Sequence, residues 1–103
     1  MEEQNNNEMD KTIQGSEMKE TLQFPLSFDL KVVVDNTLTA TETIQFLDKL
    51  MLRLAVANEY LGFKESSKGN FISHTFRVLL LDHPHLQELY AELKTVPGIK
   101  FAV

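Results

Sequence analysis

Leu61 to Leu81 reads LGFKESSKGNFISHTFRVLLL, two strand-like runs separated by a cluster of turn formers. At its centre Ser66-Ser67-Lys68-Gly69-Asn70 collects residues that suit a tight reversal, and Gly69 takes a positive φ at little cost. Beyond the turn, residues 71–81 alternate. Ile72, His74, Phe76, Val78 and Leu80 fall on one face, and Phe71, Ser73, Thr75, Arg77, Leu79 and Leu81 on the other. That period of two is the signature of a strand with one buried face and one partly wet face. Before the turn, residues 61–65 read as a shorter strand, so the stretch predicts a β-hairpin.

The flanks supply the partners of that hairpin. Phe28, Leu30, Val32 and Val34 alternate with Asp29, Lys31 and Val33, which predicts a strand behind Pro25, where a missing amide does little harm. Asp35-Asn36-Thr37 breaks the pattern as a loop. Thr39 then stands three residues before Glu42, the spacing of a capping box. Ile44, Leu47, Leu50, Met51, Leu54 and Ala55 follow as one helical stripe, with helix propensity through Ala57 and a stop at Asn58. On the other side, Asp82 is an N-cap with Pro84 in the first turn, and Leu86, Leu89, Tyr90 and Leu93 form a second stripe. Pro97-Gly98 ends that helix, and Ile99, Phe101 and Val103 alternate as a last strand. The order is βαββαβ. Right-handed crossovers place both helices on one face of a four-stranded antiparallel sheet, an α+β fold.

Composition removes whole classes of function. The 103 residues include no Cys and no Trp, so a zinc ribbon, a thiol catalyst and a disulfide scaffold are excluded. No apolar run exceeds four residues, whereas a helix needs about 20 to cross a bilayer. The first twenty residues lack the basic-then-apolar order of a signal peptide, and the expected setting is cytoplasmic. The net charge of −5 is uneven: residues 1–20 hold six acids and two bases, leaving the remainder at −1. With four apolar residues in that stretch, it is expected to be a disordered acidic leader, with Met18 an alternative natural start. Residues 21–103 form the expected single domain. Neither part carries the overall basic excess usual in nucleic-acid modules, so no nucleic-acid partner is expected.

Ser66-Ser67-Lys68-Gly69-Asn70 before Phe71 also carries a resemblance, together with Leu89-Tyr90-Ala91-Glu92-Leu93 and the opening Phe24-Pro25, Phe28 and Lys31-Val32. These residues resemble the YbeD-like family of small bacterial proteins over roughly residues 24–103. The resemblance implies a ferredoxin-like fold, in agreement with the reading above, and similarity to ACT domains, which sense small ligands and regulate metabolic enzymes. It also suggests, by association alone, a link to lipoate metabolism. His74 and Phe76 depart from the pattern, since the family more often has aliphatic or small residues there.

Candidate sites are few. Amides around Gly69, the hydroxyls of Ser66 and Ser67, Asn70 and the Lys68 ammonium suit a carboxylate or phosphate, and Lys68 is the residue that turn geometry does not require. Leu79 and Leu81 fall on the open sheet face near Val33, an apolar patch for a protein partner or a homodimer. His83 and His85 are two apart across Pro84 and do not share a helix face, so no metal is expected. His74 reads as a buried, hydrogen-bonded histidine. An RNA-stacking sheet needs two or three aromatics, and the open set here offers Phe71 alone. Only Arg53 and Arg77 are available for a phosphate cradle like that of acylphosphatases, one on a helix and one mid-strand. Neither an enzyme nor a cofactor is expected. The sequence points to a non-enzymatic regulatory module that senses a small metabolite, or alternatively an adaptor for a metabolic enzyme.

Overall fold

In the computed structural model, residues 22–103 are described; the expected acidic leader and Met18 lie outside them. Six elements follow in the predicted order: β1 (Leu26–Val34), α1 (Ala40–Arg53), β2 (Ala57–Glu65), β3 (Ile72–Leu80), α2 (His83–Leu93) and β4 (Ile99–Ala102). The sheet runs β2-β3-β1-β4 with every pairing antiparallel. Both helices lie on one face. Leu47, Leu50 and Met51 of α1 and Leu89 and Leu93 of α2 bury against Leu30, Val32 and Val34 of β1 and Phe76, Val78 and Leu80 of β3. Each fully buried side chain of this kind contributes about 1.5–3 kcal/mol of transfer free energy.

The helix starts follow the sequence. Thr39 Oγ1 accepts from Glu42 N at 3.1 Å while Thr39 N donates to Glu42 Oε1 at 2.9 Å, closing the capping box. Asp82 Oδ1 accepts from His85 N at 2.9 Å. Arg53 and Glu92 tie the two helices together across their outer surfaces at 2.6 Å.

Three local departures reshape the sheet. Helix α1 stops at Arg53, not near Ala57, because Ala55 takes the left-handed conformation at φ 56. Ala55 N then donates to Leu52 O and Val56 N to Met51 O, the two bonds of a Schellman ending. Released early, the chain enters β2 at Ala57, four residues before the strand predicted from Leu61. Within β2 the register shifts between Tyr60 and Gly62, where Gly62 has φ 117. The extra residue puts both Tyr60 and Phe63 on the helix-bearing face, opposite Phe76 and His74. A second bulge separates the β1–β4 pairs Val33–Phe101 and Val34–Ile99. Ile99 and Ala102 consequently pack on the core, and Phe101 crosses to the open face. Simple alternation had put Ile99, Phe101 and Val103 together, and the extra Lys100 breaks it.

Candidate functional site

The turn residues fold back on themselves first. Ser66 N donates to Phe71 O at 2.8 Å and Gly69 N to Ser66 O at 2.9 Å. Phe71 N reaches Ser66 Oγ at 3.2 Å, and Gly69 has φ 71. Asn36, from the loop after β1, donates its side-chain amide to Gly69 O at 3.1 Å and ties the hairpin tip to the neighbouring strand's loop. Ser67, Lys68, Gly69 and Asn70 are exposed in the turn itself.

Beneath that tip, on the open sheet face, lies a cleft of about 180 Å³ walled by Val33, Lys64, Glu65, Ser66, Phe71 and Ser73. Of the five predicted turn residues, Ser66 alone lines it. Lys64, Ser73 and Val33 join because Lys64 pairs with Ser73 and Ser73 with Val33 across three adjacent strands. The cleft therefore offers a hydroxyl from each end of the hairpin, one charge of each sign, and the apolar surfaces of Val33 and Phe71. That set suits a small polar molecule with an apolar side. Neither Lys64 nor Asn36 stands out in the sequence, because their roles come from cross-strand register.

The leucine patch is divided. Leu79 is 36% exposed on the open face, opposite Ser27 and Ala57, whereas Val33 faces Ser73 six residues away along β3. At about 3.4 Å per residue that separation is roughly 20 Å. The expectation that the leucines lie near Val33 is thus corrected by the antiparallel register. Between the two ends runs the polar row Asp29–Arg77–Glu59, with Arg77 Nε 3.0 Å from Asp29 Oδ1. That hydrogen bond to Asp29 raises the Arg77 pKa further. Leu81, 60% exposed, turns away to the end of the sheet, into a broad 640 Å³ groove shared with Leu54, Pro84 and His85. The open face also carries Phe101 as well as Phe71, so it holds two aromatic rings where the sequence promised one.

The histidines divide by role. His85 Nδ1 accepts from Leu81 N at 3.1 Å and its Nε2 donates to Leu54 O at 2.9 Å, which staples the end of β3 to the end of α1. His83 meets the Phe24 ring edge-on at 6.1 Å. His74 is fully buried, with Tyr60 Oη 3.0 Å from Nδ1 and no partner for Nε2. Burial pushes its pKa down and pushes that of Tyr60 up. Among the described residues no three His, Cys, Asp or Glu side chains gather into a metal-binding group. Nor is any described helix long and apolar enough to cross a membrane.

Strand order, helix placement and the open face define a ferredoxin-like α+β domain. Three solved structures share this fold: a Helicobacter pylori protein known in solution (TM-score 0.62, 16% identity, covering 89% of this chain and 96% of that one); the ACT domain of GTP pyrophosphokinase from Chlorobium tepidum (0.54, 9%, 76% and 95%); and the C-terminal domain of the MgtC protein from Mycobacterium tuberculosis (0.54, 17%, 81% and 89%). The chain belongs to the family described as Protein of unknown function (DUF493), whose model matches residues 19–103. Its bacterial relatives include UPF0250 proteins of Shewanella oneidensis, 31% identical over 84% of this chain and 94% of that protein, and of Shewanella amazonensis, 35% identical over 77% and 86%. The YbeD-like resemblance drawn from the hairpin is to this same family.

Proposed function

We propose that this chain is a non-enzymatic binding module that senses a small metabolite in the cleft beside the β2–β3 hairpin. The observation that carries this reading is the convergence of Lys64, Glu65, Ser66 and Ser73 around apolar Val33 and Phe71 on an otherwise open sheet face. Lys68 stands on the adjoining turn, exposed, where a cation recruits an acid group without supporting the fold. The likeness to an ACT domain supports a regulatory role and is a likeness of fold.

A thermal-melt screen against amino acids, keto acids and lipoate-type acids tests the proposal. A ligand present at about 100 times its Kd stabilises the fold by about 2.7 kcal/mol. Lys68→Ala and Lys64→Gln should melt like the wild type alone and lose most of the ligand-induced shift. Equal shifts in wild type and both variants would place the ligand elsewhere.

A second reading is favoured by Leu81, which is 60% exposed at a broad groove that it shares with Leu54 and Pro84. There the partner is a protein, either a metabolic enzyme or a second copy of the chain. Leu81→Ser should then abolish association through the groove, and Leu79→Ser association through the open face, in sedimentation or pull-down, while Lys68→Ala leaves either intact.

A further inference from the structure

The bulge at Lys100 has a chemical result on the other side of β4. By turning Ile99 and Ala102 toward the helix layer, it opens a notch of about 280 Å³ between the edge strand and the last turn of α2. Its floor is Leu93, 2% exposed, with Ile99 and Ala102 packed on the same core. Tyr90 contributes the aromatic wall, and Phe101, whose ring is on the open face, borders the notch along β4. The Tyr90 phenol is protonated at neutral pH and able to donate a hydrogen bond, and burial raises its pKa further.

The charges at this notch run against those of the whole molecule. The chain is −5 overall, yet the charged residues lining the notch are Lys94 and Lys100, with no carboxylate among them. Lys94 caps the C-terminus of α2, and among the described residues the Lys100 ammonium pairs with Asp35 alone, at 3.8 Å, the longest ion pair there. Two loosely held cations above an apolar floor complement a ligand with one acidic end and one oily end. A cavity of about 150 Å³ is enough for a benzene ring, so the notch has room for a ring and a carboxylate together. A bare phosphate would leave the partly buried apolar surfaces of Ile99 and Ala102 uncovered.

We propose that this α2–β4 notch is a second binding site, for a monocarboxylate with a compact apolar body such as an arylacetate. It is separate from the hairpin cleft and stands whether or not that cleft binds anything.

The probe is phenylacetate, titrated into the isotope-labelled full chain and followed by amide NMR. Saturable shifts should cluster on residues 90–94 and 99–102 and leave Ser66–Asn70 unmoved. Lys94→Gln and Lys100→Gln, both at exposed positions, should keep the wild-type spectrum and each weaken binding about threefold to fivefold, as expected for partly exposed ion pairs. Phenylacetamide, which keeps the ring and loses the charge, should bind weaker than either variant binds the acid. Shifts that fail to saturate, shifts centred outside the notch, or equal affinity for acid and amide would each overturn the assignment.

Discussion

Acidification from pH 7.5 to 5.5 should weaken the fold through one residue, His74. Its ring is fully buried on β3, bonded at Nδ1 to Tyr60 and unpartnered at Nε2. The rings of Tyr60 and Phe63 lie at 6.0 and 5.9 Å, and nothing there compensates a positive charge by hydrogen bonding at Nε2. Desolvation holds the folded pKa below the ordinary value of 6.5, so the unfolded chain takes up this proton first as pH falls. Stability contributed by the neutral ring is therefore complete above pH 6.5 and declines as pH drops from there toward the folded pKa. One proton limits the slope to about 1.4 kcal/mol per pH unit, and the loss accumulated by pH 5.5 is at most about 1.4 kcal/mol. In a domain of this size that lowers Tm by roughly 5–10 °C. Asp35, whose pKa is lowered by its bond from the Thr37 hydroxyl, acts below its ordinary value of 3.8 and lies outside the window. Urea unfolding at several pH values, for wild type and His74→Leu, measures the effect. The variant should lose the pH-dependent part. A wild-type profile flat across this range, or an equal slope in His74→Leu, would refute the burial argument.

Three substitutions test the turns and staples. Ala55→Gly removes the left-handed strain at the end of α1 and should stabilise by about 0.5–1 kcal/mol in chemical denaturation, after the added backbone entropy is deducted. Gly98→Ala should cost about 2 kcal/mol or more, because the new Cβ runs into Asp35 Oδ1 and Thr37 at a φ of 78; a near-neutral thermal melt would show that this loop yields. His85→Ala orphans Leu81 N and Leu54 O together and should cost about 1–3 kcal/mol, with faster amide exchange at Leu81.

The sheet and its buried faces were legible because burial and alternation agree: every predicted inward residue of β3, from Ile72 to Leu80, is buried. Thr39 and Glu42 announced the start of α1 because the capping box is a local bond between residues three apart. Its end was not legible. Terminating at Arg53 depends on Ala55 adopting a conformation that its side chain disfavours, offset by the two Schellman bonds and by the packing of Val56 at 4% exposure. Both bulges escaped for a related reason. An inserted residue at Leu61 or Lys100 changes no local pattern, and its position is chosen by the partner strand. The site was half legible. Turn chemistry marks Ser66–Asn70, but the cleft beneath depends on Val33, Lys64 and Ser73 meeting across three strands. The expected nearness of the leucines to Val33 failed on register alone.

Amide-resolved NMR of the labelled chain against pooled small metabolites tests the central claim, that this open face is a small-molecule site. Saturable shifts confined to Val33, Lys64–Ser66, the turn through Asn70, and Phe71 and Ser73 are the predicted result, and the compound responsible names the ligand class. A spectrum unmoved at millimolar ligand would contradict the sensor reading, whereas shifts gathered around Leu79 and Leu81 on addition of a protein would favour the adaptor reading.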